Sequence, residues 1–433
     1  MNWSNWSGSV RSNPTEVIYP SSEGEIVELV KRASEAEKQI RVIGSGHSFS
    51  RVVEANQILV SLDRMQGIID VDVDGKTATV WAGTKLKELG EGLFELGLAQ
   101  ENMGDINVQS VAGALSTGTH GTGKRLGILS TQILEATFVN GLGEIKTVDQ
   151  NTNERLFCAL GVNVGSMGII TRIKLRLEKA YKLKEITKKE TLDDCLNHIG
   201  EYSDNNRNFE FFWFPHTDTV QTKTLNITQD AFKRHGLGKK IGDVLIEHWF
   251  FLLLSNMVKW FPSFSKRVAK ISAWGIANGK FVDWSHKIYA TKRSVRFYEM
   301  EYNVPLEHAK EVLLEIRSMI IEEDIKVHFP VECRFVKEDN FLISPAYERS
   351  GVYIAIHQFK GMPYDSFFRK AEEIFSKYDG RPHWGKINYK KAEDFKALYP
   401  MWSEFKAIRR QQDPKKIFLN EYLYSLVNDA GTD

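Results

Sequence analysis

Apolar positions recur at helical spacing over residues 22–38, where Ile26, Leu29, Val30 and Ala33 share one face and predict an amphipathic helix. The short apolar run Ile40–Ile43 predicts a buried strand that delivers the chain into a glycine-rich loop. Strands are expected at 58–62 and 77–81, and Thr84 is placed to cap a helix carrying Leu86, Leu89, Leu93 and Leu96 that stops at Gly97. Strand patterns return at 133–139, 144–148 and 169–177. Strands alternating with helices over residues 1–178 predict a compact α+β unit. From about residue 180 the texture changes. Aromatic strands at 209–215 and 294–300 are separated by a long helix-rich insert, a helix is expected at 307–322, and strands follow at 331–336 and 352–359. That set predicts a mixed sheet with helices on one side. The chain after 370 reads as helical and aromatic.

Composition sharpens this outline. A chain of 433 residues is too long for one ordinary core, so two domains are expected. Hydrophobic and charged contents of 42% and 26% are those of a soluble globular protein. A net charge of +1 without a long basic run leaves no footprint for nucleic acid. Cys158, Cys195 and Cys333 are odd in number and lack a C-x-x-C pair, which argues against a disulfide framework and a zinc site and suits the cytoplasm. The first residues carry neither a basic region nor an apolar segment, so no signal peptide is expected. The most apolar stretch, 244–261, is interrupted by Glu247, His248 and Lys259 and falls short of the roughly 20 residues a membrane span needs. A buried helix is the expectation there, with an interfacial helix, peripheral membrane contact or a homo-oligomer contact as alternatives.

Two glycine-rich loops carry the first chemical signal. One holds Gly44, Ser45, Gly46, His47 and Ser48; the other runs through Gly113, Ser116, Thr117, Gly118, His120 and Gly121. Glycine lets backbone N–H groups approach an anion closely, which suits a pyrophosphate. Either loop alone reads equally well as a surface turn. A nicotinamide fingerprint is incomplete, because Phe49 stands where the third glycine belongs. A histidine in each loop favours a flavin nucleotide.

Three polar clusters lie on segments that otherwise look buried. Glu332 and Arg334 occupy alternate strand positions and therefore share a face, where a solvated salt bridge is the commoner outcome. His357 closes an apolar strand and would share a face with Tyr353 and Ala355. A lone histidine there is more often a satisfied core residue. The hexapeptide Arg381-Pro-His383-Trp384-Gly-Lys386 concentrates polar groups in a loop that packing explains poorly. Trp213 and His216 add an aromatic wall and another imidazole, equally explained as a strand end.

The ordered series of these motifs resembles the aldonolactone oxidase and alditol oxidase group (D-arabinono-1,4-lactone oxidase-like) of the vanillyl-alcohol-oxidase flavoprotein superfamily. The resemblance spans nearly the whole chain, from Asn5-Trp-Ser-Gly8 through both glycine loops, Glu332-x-Arg334 and His383-Trp-Gly-Lys386 to Asp413-Pro414 and Phe418-Leu-Asn420. It implies a two-domain α+β flavoprotein with a PCMH-type FAD-binding domain at 1–178, a substrate (cap) domain with a mixed or antiparallel sheet at 179–370, and a segment at 371–433 that returns to the first domain. It implies FAD linked covalently through His47 and cradled by both loops with Gly168 and Ile170. It also implies oxidation of a sugar-derived lactone or polyol by hydride transfer to flavin N5, with O2 reduced to hydrogen peroxide. Glu332, Arg334, His357, His383, Lys386 and Ser110 are the implied catalytic set, without a metal. A quinone- or cytochrome-linked dehydrogenase and a non-catalytic flavin-binding protein are the alternatives.

Overall fold

A computed structural model describes residues 2–233, 251–290 and 295–428. Residues 244–250 of the apolar stretch and Ser294 of the second aromatic run lie outside the described residues.

The N-terminal half is built on two sheets. A parallel three-stranded sheet places Ile58–Ser61 between Glu16–Ile18 and Ile40–Ile43. An antiparallel five-stranded sheet runs in the order Ile145–Asp149, Ile133–Asn140, Gly168–Arg176, Thr77–Trp81 and Ile68–Asp72. The helix Glu23–Glu35 forms where the periodicity predicts it, with Ser22 accepting from the Glu25 N–H at its N-terminus and Ile26, Leu29, Val30 and Ala33 buried. The helix Leu86–Glu95 begins one residue later than expected. Its N-cap is Lys85, because the Thr84 hydroxyl donates to the Trp81 carbonyl at 2.6 Å instead.

The second half carries an eight-stranded sheet. Its order is Gly279–Trp284, Lys182–Thr191, Thr219–Thr228, Asn208–Trp213, Val331–Val336, Gly351–Phe359, Phe297–Pro305 and Arg381–Pro382. Every pairing is antiparallel, which corrects the mixed sheet expected from the strand and helix sequence. Among its described residues the insert also contributes the strands Thr219–Thr228 and Gly279–Trp284 beside its helices. One face of this sheet is apolar. Phe211, Trp213, Cys333, Ile354, Ile356, Met300 and Tyr302 pack there with Val312, Leu313, Phe368 and Phe375 from the helices Ala309–Glu322 and Asp365–Lys377. The other face is polar and turns toward the N-terminal half.

Chain order does not separate the two cores. The first gathers residues between Ile26 and Leu177 together with Trp384, Phe395, Trp402, Phe418 and Leu423, so the C-terminal helices close the N-terminal core. Buried Arg41 ties these parts together, donating to the carbonyls of Val164 at 2.8 Å, Gly165 at 3.0 Å and Phe418 at 2.8 Å. In the insert, residues 251–260 are helical but not a buried helix. Leu253, Trp260 and Phe261 are exposed, which corrects the expectation for the described part of that stretch.

Candidate functional site

Two cavities meet at the first glycine loop. A cleft of about 870 Å³ is lined by Gly44, Ser45, Gly46, His47 and Ser48 together with Ser110, Gly113, Ser116, Thr117, Gly168 and Ile170. Close packing explains the glycines: a Cβ on Gly44 would lie 2.3 Å from the Ser110 hydroxyl, and Gly46 has φ +69°. Bare backbone and the hydroxyls of Ser45, Ser48, Ser116 and Thr117 give a narrow wall rich in hydrogen-bonding groups, which fits a dinucleotide. Ser110 belongs to this cleft, and its hydroxyl accepts from the Gly113 N–H at the start of the helix Val111–Ser116. Gly118 and Gly121 do not line it. Gly118 turns the chain at φ +72°, and a Cβ on Gly121 would strike the Met103 carbonyl at 2.3 Å. Both serve the fold of the loop rather than the cleft wall.

The second cavity, about 720 Å³, shares His47 and Ser48 with the first. It brings together His120, Glu332, Arg334, His357, His383 and Lys386, which lie far apart in sequence, with Glu299 and Glu301. Sheet register explains how. Glu210 pairs directly with Arg334 and Glu299 directly with His357, so charged groups line up across strands on the face opposite the apolar core. The segment after Arg381–Pro382 is held alongside the strand Phe297–Pro305, with His383 N–H donating to Glu301 and Ile387 N–H to Glu299 carbonyls, each at 3.0 Å. It also touches the glycine loop, where Phe49 N–H donates to the Gly385 carbonyl at 2.6 Å. His120 reaches the same cavity because the second loop enters the eight-stranded sheet, with Gly123 N–H donating to the Phe335 carbonyl at 2.7 Å.

The charges form two buried networks. In the first, Lys386 Nζ stands 2.5 Å from Glu299 and 3.9 Å from Glu301, while His357 Nε2 is 3.4 Å from Glu299 and His120 Nε2 3.2 Å from Glu301. Burial alone would raise the Glu299 carboxyl, but Lys386 and His357 hold it down to about 2. Glu301 is likewise kept well below the usual carboxylate range by His120 and Lys386 against the effect of burial. In the second, the Arg334 guanidinium faces Glu332, Glu210 at 2.8 Å and Asp105 at 3.8 Å. Lys223 completes it at 3.1 Å from Glu210. The sheet face is therefore not open to bulk solvent: Glu332 is buried and Arg334 is largely covered.

Hydrogen bonding assigns the imidazoles. His383 Nδ1 accepts the Gly385 N–H at 2.9 Å, and burial holds the ring neutral with a pKa of about 3, so its proton resides on Nε2. His357 Nδ1 donates to the Pro330 carbonyl at 3.0 Å, which turns its Nε2 toward Glu299 at 3.4 Å. His47 is stacked under Trp6, with ring centroids 5.3 Å apart, and burial together with nearby Lys386 lowers its pKa to about 4. Asn5, beside Trp6, fixes the loop by donating to the Ser48 carbonyl at 2.9 Å. His120, Glu301 and His383 bring metal-ligand atoms to within 4.8 Å of one another. The Lys386 ammonium already supplies a cation to Glu301 there.

Other residues singled out by sequence prove structural. Arg381 donates to the carbonyls of Leu398 and Tyr347, and Trp384 stacks against Phe395 and Tyr399 in the first core. Trp213 is buried in the second core, and His216 occupies a turn at φ +62° away from both cavities. Glu299, Glu301, Glu210 and Asp105 were missed. The first two follow the same alternate-position pattern as Glu332 and Arg334, on a strand equally apolar elsewhere.

Acid should destabilise the fold early. His383 and His328, each lowered to about 3 chiefly by burial, take up protons readily only when unfolded. The unfolded chain binds more protons below its ordinary histidine pKa, so stability rises with pH between the folded and unfolded values. Each such group is expected to cost about 1.4 kcal/mol per pH unit as pH falls from about 6.5 towards 4. Denaturant titrations across that window check this, and a flat profile would show that the two rings are accessible to protons in the native state.

The sequence profile described as D-arabinono-1,4-lactone oxidase matches residues 173–426, and that of an FAD binding domain matches residues 14–149. L-gulono-1,4-lactone dehydrogenase of Mycobacterium tuberculosis is 34% identical over 421 residues, covering 97% of each chain. L-gulonolactone oxidase of Bos taurus is 30% identical, covering 97% of this chain and 96% of its own. The fold is also similar to cholesterol oxidase from B. sterolicum, with a TM-score of 0.81 at 17% identity over 99% of this chain and 96% of that one. With both profiles matched in sequence and near-complete coverage of its relatives, this chain belongs to the aldonolactone oxidase group of the vanillyl-alcohol-oxidase/PCMH flavoprotein family, the FAD-linked oxidoreductases.

Proposed function

We propose that the protein oxidises a hydroxyl-bearing carbon of an aldono-1,4-lactone, with an open-chain alditol as the neighbouring substrate class. The observation that carries this reading is the Lys386 ammonium placed beside two buried carboxylates in a cavity contiguous with the dinucleotide cleft. FAD in that cleft would accept the hydride of the substrate's C–H bond. The chain's task is then to hold the alcohol, lower its hydroxyl pKa and remove its proton. Lys386 and the Nε2–H of His383 are donors suited to stabilise the developing alkoxide. Arg334, oriented by Glu332 and Glu210, is suited to a second hydroxyl or the lactone oxygen. His357 is the candidate relay, because its Nε2 lies 3.4 Å from Glu299 at the cavity wall rather than being locked to a backbone group. Ser110 is assigned to the shape of the cleft, since its hydroxyl is engaged at the helix start.

His47 is proposed as the covalent attachment point. A neutral imidazole is the nucleophilic form, and burial keeps this one neutral at pH 7. Yellow colour is expected to stay with the pellet after acid precipitation of the wild type, and to pass to the supernatant for His47→Ala. Wild-type flavin released into the supernatant would contradict the attachment but leave the reaction standing.

Molecular oxygen is proposed as acceptor, giving hydrogen peroxide. A dehydrogenase using a quinone or cytochrome is a second reading, favoured by the name of the relative that is 34% identical. Peroxide release under air during lactone turnover distinguishes the two.

A further inference from the structure

The helical residues 251–260 and the helix Ser265–Trp274 turn apolar groups in two directions. Inward, Val258 and Val268 join Phe297, Phe329 and Phe359 in a core cluster, and His328 Nε2 meets the Ser255 hydroxyl at 3.0 Å. Outward, Leu253 is 66% exposed, Trp260 76%, Phe261 60% and Trp274 82%. Leu253 and Trp260 are two turns apart on one helix face, and exposed Ile271 lies one turn before Trp274 on the other. Phe261 and Phe264, with ring centroids 6.3 Å apart, join the helices at their connection. Monomeric proteins rarely gather so many large apolar groups on one exposed element without a partner for them.

The charge pattern says what that partner is. Residues 251–280 contain Lys259, Lys266, Arg267, Lys270 and Lys280 and no acidic residue. The whole chain has a net charge of only +1, so this stretch is a local excess of positive charge against a net negative remainder. Asp324 pairs with Lys266 at 2.7 Å and also with Lys326, and Asp230 lies 3.9 Å from Lys280, which offsets two of the five. Lys259 and Arg267 instead lie over the rings of Trp260 and Phe264, at 6.0 and 5.1 Å.

We propose that this face docks on an anionic lipid bilayer, with Trp260 and Trp274 at headgroup level and the basic side chains against lipid phosphates. A second copy of the chain fits less well, because a two-fold contact through this patch would set the same cations against one another. The attachment is peripheral: among the described residues no helix is long and apolar enough to cross a membrane. Docking there brings the bilayer over the wall of the catalytic cavity. Phe251 packs on Phe329 at 5.2 Å, and a cavity of about 680 Å³ between Phe212, Phe214, Phe251 and Phe329 continues to Glu332 and His357.

The experiment sediments the full-length, FAD-loaded protein with vesicles of phosphatidylcholine alone or mixed with phosphatidylglycerol, at low and high salt. Binding is expected to the anionic vesicles, weakened by salt, with a blue shift of tryptophan emission. The variants Trp260→Ser/Trp274→Ser and Lys259→Glu/Arg267→Glu/Lys270→Glu are each expected to lower partitioning by about tenfold or more. Unchanged flavin absorbance and melting temperature would establish that they fold, and the salt dependence of the wild type needs no variant. Wild-type protein that stays in solution with anionic vesicles at low salt would overturn the proposal. So would variants that pellet like the wild type, or a concentration-dependent dimer abolished by the tryptophan substitutions without vesicle binding.

Discussion

Lys386→Met is expected to slow substrate reduction of the bound FAD by about 10²–10³-fold, the usual cost of removing one preorganised donor to a developing oxyanion. The physical reason extends beyond the lost donor. Lys386 stands 2.5 Å from Glu299 and 3.9 Å from Glu301, so its removal leaves two buried carboxylates facing the place where an alkoxide must form. Like charge there raises the hydroxyl pKa, the opposite of what the reaction needs. Because the effect falls on charge that develops in the transition state, it should appear in the limiting reduction rate more than in KM. Lys386→Arg keeps the cation and should recover part of the rate. Anaerobic stopped-flow reduction of each variant is the measurement. A Lys386→Met rate near wild type would remove Lys386 from the mechanism.

Arg334→Met is expected to destabilise the protein by about 3–5 kcal/mol, the penalty for stripping the partner from buried charge. Three carboxylates converge on this guanidinium: Glu332, Glu210 and Asp105. Arg334 is held well above even the usual arginine range by Glu332 and Glu210, against the effect of burial. Lysine should restore little, since it cannot present a planar fork to several acceptors. The double variant Arg334→Met/Glu210→Gln separates electrostatics from packing. If uncompensated charge causes the loss, the second change recovers a substantial part of it in denaturant titrations. A double variant as unstable as the sum of the singles would mean that Arg334 acts by packing alone.

Much of the site was legible because it obeys strand alternation. Glu332 and Arg334 face the cavity while Cys333 between them is buried in the second core, as two-residue periodicity requires. The same rule applied to Phe297–Pro305 would have found Glu299 and Glu301, with Met300 and Tyr302 turned to the core. They were overlooked because the run reads first as aromatic and apolar, and a single sequence does not show that its partner strand offers His357. The glycine loops were legible from composition. Which glycines face the cleft was not, since Gly44 and Gly121 are both excluded from carrying a Cβ but by different neighbours, Ser110 and Met103.

The hexapeptide around Trp384 misled in part. Four polar groups in a loop read as one site, yet Arg381 spends its donors on backbone carbonyls and only His383 and Lys386 reach the cavity. The sheet's direction was also beyond local pattern. Lys182–Thr191 and Thr219–Thr228 are mostly polar strands whose alternation is blurred by lysine and threonine, so the hairpin-rich, wholly antiparallel topology left little trace in the chain. The outward tryptophans of the insert show the limit of hydrophobicity as a burial signal: Trp260 and Trp274 are as apolar as core residues but stand in solvent.

This cavity is proposed to oxidise an aldonolactone with electrons passing to FAD. Mixing the purified holoprotein anaerobically with L-gulono-1,4-lactone, D-arabinono-1,4-lactone and, in parallel, xylitol tests it directly. Bleaching of the visible flavin bands by at least one lactone, with peroxide appearing on readmission of air, is the predicted result. A flavin that stays oxidised with every lactone and alditol, in protein shown to contain FAD, would contradict the account.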